Sequence, residues 1–214
     1  MDKTPSRDDE ENTGFWSILS HPAVFDSIQR LMGNRSLFET IVRDYMPKRS
    51  GIRILDIGCG TGSLVSVLPE GVDHVGFDIS PRYIAYAAAR RHPRSRFFVE
   101  RVSEISPERL GRFDVVMAFG ILHHIGDDEA RSLIDTAAAL LGKGGRLVTV
   151  DAARVDDQSA LARFFMDRDR GRHIRTPAEY LGLFSDRPFS AEGKVLRGAL
   201  RIPMAHCVVR ADRL

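Results

Sequence analysis

Only two cysteines occur in 214 residues, Cys59 and Cys207, and they stand too far apart for a metal-binding pair or a disulfide framework. Metal chemistry built on cysteine is therefore excluded, and both thiols suit a reducing compartment. No apolar run is long enough to span a bilayer and no secretory h-region stands out, so the expectation is a cytoplasmic protein that does not enter membranes. Charge of one sign is also missing. Lysine plus arginine number 31 against 29 acids, a net charge of +2 that points to no nucleic-acid partner. Arg90, Arg91, His92, Arg94 and Arg96 do cluster, at the end of an expected helix where cations complement the dipole. Repeats and low-complexity tracts are absent.

Glycine, by contrast, is concentrated where it matters. The apolar stretch Ile52, Ile54, Leu55, Ile57 predicts a buried strand that runs into Gly58-Cys59-Gly60-Thr61-Gly62. Three glycines strip the side chains from one patch of backbone, so a ligand can lie on the main chain there. Their G-x-G-x-G spacing differs from the dinucleotide G-x-G-x-x-G, and Asp56 at the strand end would repel a pyrophosphate. A carboxylate there suits a cation. A second strand, Val72 to Phe77, ends at Asp78, placed as a ribose-hydroxyl acceptor should be. A ribose joined to a cationic tail without phosphate describes S-adenosylmethionine.

From about Arg53 to Asp151 the chain resembles the class I S-adenosylmethionine-dependent methyltransferases of small-molecule type. The resemblance rests on the glycine turn, on Asp78 and on Phe113 to Phe119 followed by Gly120-Ile121-Leu122-His123-His124-Ile125, in that order. It implies that Asp56, Gly58, Cys59, Gly60, Thr61 and Gly62 hold the methionine end, Asp78 takes the ribose and Ile79 packs on adenine. Ala118 and Phe119 at the fourth strand complete the cofactor wall. At the third strand the chain departs from its relatives: Arg101 stands where an aspartate is common, leaving Glu100 or the backbone of Arg101 and Val102 to read the adenine edge.

Strand and helix signals alternate from Ile52 to Val150, which predicts βαβ crossovers. The expected fold is a Rossmann-like, mostly parallel seven-stranded sheet with helices on both faces and a C-terminal antiparallel hairpin. Expected helices include 63–68 and 127–141; the fifth strand is expected at 146–150 and the last two at 193–202 and 204–210. Residues 1–14 read as a disordered polar tail and 15–214 as one domain. Within it, 15–46 form a helical cover carrying Trp16, Phe25 and Gln29, 51–151 the cofactor core, 152–190 a lid region and 191–214 the final strands.

His123 and His124 follow the fourth strand, and either imidazole can take a proton from an acceptor hydroxyl or amine; packing on the cofactor or capping the next helix is the alternative. The polar run 167–175 reads either as a substrate clamp, with Arg170, Arg172 and Arg175 gripping a carboxylate or phosphate and Tyr180 beyond it as a further substrate residue, or as a solvated loop. The resulting expectation is methyl transfer to an O, N or C nucleophile of a small molecule, with S-adenosylhomocysteine as product, no metal, and a monomer or homodimer. The alternative is a protein that binds the cofactor without methyl transfer.

Overall fold

The computed structural model describes residues 21–90, 92–168, 173–201 and 203–214. The tail, Trp16 and Arg172 lie outside them.

Two helices open the described chain. Pro22 starts α1 (Pro22–Met32) at a position where its missing N–H costs nothing. Gly33, at φ 93°, ends it and turns directly into α2 (Asn34–Tyr45). The sheet then builds from β1 (Arg53–Ile57), β2 (Asp73–Asp78), β3 (Ser95–Val99), β4 (Phe113–Phe119), β5 (Leu141–Ala152), β6 (Phe189–Leu196) and β7 (His206–Arg213). Their spatial order is β3-β2-β1-β4-β5-β7-β6. The first five are parallel, and β7 lies antiparallel between β5 and β6. The crossovers are α3 (Pro81–Ala89), the single-turn α4 (Pro107–Leu110) and α5 (Asp127–Leu140); α6 (Ala160–Arg168) and α7 (Pro177–Gly182) follow β5.

Alternation along the strands feeds two cores. Leu55, Ile57, Val116 and Ala118 face α5, whose buried Ala130, Leu133, Ile134 and Ala137 recur at helical spacing. Ile54, Val115, Met117 and Val148 face α2 through Leu37 and Ile41. A sheet covered on both sides puts its ligands at the carboxyl edge, where β1 and β4 leave in opposite directions.

Several boundaries differ from expectation. The segment after the glycine turn is a five-residue 3-10 turn, Ser63–Val67, because Leu68 and Pro69 stop the chain before an α-helical ladder forms. β5 begins at Leu141, since Leu141 pairs with Phe113 and a register shift absorbs the glycines that follow. The two last strands fall at 189–196 and 206–213, joined by a nine-residue connection. Among the described residues no helix is long and apolar enough to cross a membrane.

Candidate active site

Three glycines with positive φ divide the labour of the turn after β1. Gly58, at φ 68°, has no room for a side chain: a Cβ would sit 2.2 Å from Ile121 Cδ1. The turn is thereby pressed against the loop that carries His123. Gly60, at φ 53°, faces open space, with no atom within 4 Å of a Cβ position, and Gly62 packs under Ala87 and Phe97. Gly60 is the point where a ligand can touch bare backbone. Opposite it, Asp78 Oδ2 accepts from the Gly60 N–H at 3.0 Å, and Oδ1 accepts from the Ser80 N–H at 2.8 Å. Burial raises the Asp78 carboxyl above the usual carboxylate range; the Ser80 and Gly60 donors partly offset this, and Asp56 adds repulsion.

Asp56 itself is only 2% exposed and meets His74 Nε2 at 3.4 Å, so it lies beneath the turn rather than in the crevice. Thr61 and Ser63 both donate to Asp26 Oδ1 on α1, at 3.3 and 2.5 Å. Arg30 and Arg90 reach the same carboxylate at 3.2 and 3.3 Å. Asp26 thus pins α1 to the glycine turn, a role that the sequence reading missed. Its signal was an acid on the buried side of an amphipathic helix. Burial pushes the Cys59 thiol far up, which makes it filler and not a nucleophile.

On the adenine side, Ile79 is 65% exposed, an apolar side chain left at the mouth beside Asp78. Glu100 does not face this space freely, because Arg109 grips its carboxylate with both terminal nitrogens. The Arg101 N–H is likewise taken, by Glu104 Oε2 at 3.1 Å, while Val102 is half-buried against the core. Ala118 is buried in β4, and the Phe119 ring packs edge-on against Phe38 of α2 at 5.1 Å. From α1, Phe25 stacks on Tyr83 at 5.2 Å and Gln29 is half-buried farther along.

The two histidines occupy different surroundings. His124 is exposed. His123 is buried at the junction of β4 and β5, where its ring Nδ1 lies 2.9 Å and its backbone N–H 3.1 Å from Asp151 Oδ1. A carboxylate facing Nδ1 fixes the ring proton there and leaves the lone pair of the neutral ring on Nε2. Asp151 Oδ2 is buried and has no hydrogen-bond partner among the described residues. The two imidazoles lie 4.0 Å apart.

Arg175 is placed otherwise than a substrate clamp requires. It is 6% exposed, and its five N–H groups serve the carbonyls of Leu122, Ile125 and His173 and the Asp127 carboxylate. No donor is left for a ligand. Tyr180 is buried too, its hydroxyl donating to the Ala152 carbonyl at 2.8 Å. Both brace the His123 loop and the strand end at Asp151. Of the basic cluster after α3, Arg90 reaches the buried Asp26, while Arg94 and Arg96 are exposed, Arg96 lying 3.8 Å from Asp73.

Residues 23–186 match the family described as the methyltransferase domain. The chain belongs to that family. As a methyltransferase domain it is 34% identical over 113 residues to a ubiquinone biosynthesis O-methyltransferase of Xylella fastidiosa (strain 9a5c), covering 49% of this chain and 44% of that protein. A counterpart from Xanthomonas oryzae pv. oryzae (strain PXO99A) is 31% identical over 126 residues, or 56% and 52% of the two chains. The chain spans about half the length of these curated relatives. Among solved structures, the plantazolicin methyltransferase BpumL superposes with a TM-score of 0.73 at 15% identity, covering 93% of this chain and 91% of that one. The magnesium protoporphyrin IX methyltransferase of Synechocystis PCC 6803, solved with S-adenosylhomocysteine, gives 0.67 at 20%, covering 92% and 97%. At such identities these structures establish the fold of the methyltransferase domain. Its site rests on its own residues.

Proposed function

We propose that this chain transfers a methyl group from S-adenosylmethionine to a small-molecule acceptor, with a hydroxyl oxygen favoured over nitrogen or carbon. The observation that supports the reading is the packing of Ile121 against Gly58, which presses the loop that carries His123, the partner of Asp151, against the glycine turn. The residues fit the cofactor. Gly60 offers bare backbone, Asp78 offers two oxygens to a diol, and Ile79 offers an apolar face. When bound, S-adenosylmethionine supplies a methyl group already activated by its sulfonium.

The chain's own task is positioning and proton removal. Asp78 and the Gly58–Gly62 turn orient the donor, while Phe25 and Gln29 of α1 belong to the cover over it. Val102, and not Glu100, is the residue left to meet the adenine edge. His123 accepts the acceptor's proton at Nε2, and Asp151 holds the ring in the required tautomer and stabilises the imidazolium that forms. A hydroxyl acceptor needs such a base, and the curated relatives named above are called O-methyltransferases. His124 forms the outer wall. Arg175 and Tyr180 hold the loop in place and leave substrate recognition to other residues of the 152–190 region.

The test is S-adenosylhomocysteine formation with a panel of phenols, catechols and aliphatic amines. Turnover confined to hydroxyl acceptors is the expected result. Tight cofactor binding with no product from any acceptor would favour a cofactor-binding protein without methyl transfer.

A further inference from the structure

On the side away from β3 the sheet ends at β6, whose outer edge is open to pairing. The Leu214 N–H donates to the Pro188 carbonyl at 3.0 Å, which fixes the alternation of the β6–β7 ladder. Ser190, Glu192, Lys194 and Leu196 therefore turn their backbone groups toward β7, and Ala191, Gly193 and Val195 turn theirs outward. The bond from the Ala153 N–H to the Ala205 carbonyl agrees, since it sets the odd-numbered residues of β7 against β5. Among the described residues no hydrogen bond takes up the outward groups of Ala191, Gly193 or Val195. Phe189, whose N–H is taken by the Arg187 carbonyl, closes the free stretch. The usual protections of an edge are missing here: β6 contains no proline, and its register with β7 is unbroken. The opposite edge, β3, is only five residues long and carries Arg96, a like charge for any copy of itself.

The charges along β6 complement themselves. Two copies joined antiparallel about a two-fold axis must set outward-facing residues against outward-facing residues. With most of the strand paired, the axis can then fall on Glu192, Gly193 or Lys194. An axis on Glu192 sets two carboxylates face to face, and one on Lys194 sets two ammonium groups face to face. An axis on Gly193 puts Glu192 of each copy opposite Lys194 of the other, at non-hydrogen-bonded positions where side chains come closest. Both residues are open to such a partner. Glu192 is 72% exposed and lies 3.9 Å from Arg210 Nη2, which Asp212 already holds at 2.9 Å. Lys194 is exposed and makes no ion pair among the described residues; Asp44, which feels its charge, is gripped by Arg43. On the other face Leu181 of α7 covers Gly193, where a Cβ would meet it at 3.1 Å, with half-buried Ala191 and Val195 on either side. The same axis brings the two Leu181 side chains together.

We propose that the outer edge of β6 is an interaction surface for a second copy of this chain, paired antiparallel about an axis through Gly193. Gly193 exchanges both backbone hydrogen bonds with its own copy, and Ala191 exchanges both with Val195 of the other. Two seven-stranded sheets thereby become one. Glu192–Lys194 pairs lock the register on one face, and Leu181, Ala191 and Val195 form an apolar seam on the other. The axis stands normal to the sheet, so the carboxyl edges of the two parallel halves open in opposite directions and both cofactor crevices stay accessible.

Sedimentation of the full chain over a range of concentrations tests this, with thermal melts to show that each variant is folded. The wild-type chain should be a dimer with Kd below about 20 μM. Glu192→Lys alone and Lys194→Glu alone each set like charges opposite one another, and each should weaken the dimer by about tenfold or more. The double exchange Glu192→Lys/Lys194→Glu restores opposite charges and should return Kd to within about threefold of wild type. An equimolar mixture of the two single variants should form a heterodimer, because their charges complement each other across the axis. Misfolding of either variant cannot produce that rescue. A wild-type chain that stays monomeric at about 100 μM, assembly beyond the dimer, or a dimer indifferent to both single changes would each overturn the proposal. So would a folded double variant that remains monomeric.

Discussion

Replacing Asp78 with alanine separates cofactor binding from folding. In the free protein each carboxylate oxygen accepts one backbone N–H, from Gly60 and Ser80. Each retains a second lone pair, and a ribose diol supplies one hydroxyl to each. Hydrogen bonds to a charged group contribute about 1.5–3 kcal/mol apiece. Losing two costs about 3–6 kcal/mol, a fall in affinity of roughly 10²- to 10⁴-fold. The fold loses much less. Burial already disfavours the charge of Asp78, so its removal relieves desolvation while freeing two turn N–H groups, a net change within about 1 kcal/mol. The sign of the pH dependence follows. With its folded pKa raised, Asp78 contributes stability that is fully present below the unfolded carboxyl value and is lost as pH rises through the folded value. Affinity for the cofactor runs the other way, weakening as pH falls through that raised value because a protonated acid accepts poorly. Calorimetry with S-adenosylmethionine and S-adenosylhomocysteine, paired with thermal unfolding of both proteins, reads the two effects separately. An Asp78→Ala affinity within about threefold of wild type would refute the assignment of the ribose site.

Substituting His123→Ala or Asp151→Asn should lower kcat by about 10²-fold or more with cofactor affinity within about threefold, measured by product formation and calorimetry; the asparagine turns a donor toward Nδ1 and selects the wrong tautomer. The glycines should part company in a thermal melt and a titration. Gly58→Ala meets both left-handed strain of about 1–2 kcal/mol and the Ile121 side chain, so it loses stability, whereas Gly60→Ala pays the strain alone and loses cofactor affinity by about tenfold. Arg175→Met leaves the Leu122 and Ile125 carbonyls without their donor and should cost about 2–4 kcal/mol in chemical denaturation, with KM for the acceptor little changed at temperatures where the variant is folded.

The parallel half of the sheet was legible because apolar runs buried on both faces leave a strong local signal, and the glycine turn because bare backbone can be specified in few ways. The antiparallel return of the last pair was legible in the two closing strand-like runs, whereas the order of the strands was not, because it is set by pairing between segments far apart in the chain. Boundaries slipped where one residue outweighed periodicity, as when Pro69 stopped the turn at Ser63–Val67. The site was harder to read. Arginine in a charged run looks the same in sequence whether it faces a ligand or four acceptors of its own chain, and Arg175 does the latter. Asp26 offered only its place on the buried side of an amphipathic helix, since its partners come from Arg30, Thr61, Ser63 and Arg90, most of them far along the chain.

The bonds of Arg175 tie together two pieces of chain that a family would be expected to vary independently. The loop at Leu122–Asp127 belongs to the cofactor core, and His173 to Arg175 to the segment after β5; the His173 N–H also donates to the His123 carbonyl at 3.0 Å. Grafting is therefore constrained. A chimera that imports residues 153–190 from a relative with a different residue at position 175 would unseat His123 along with the change in specificity, and one that keeps this arginine would alter the acceptor while leaving the base where it stands.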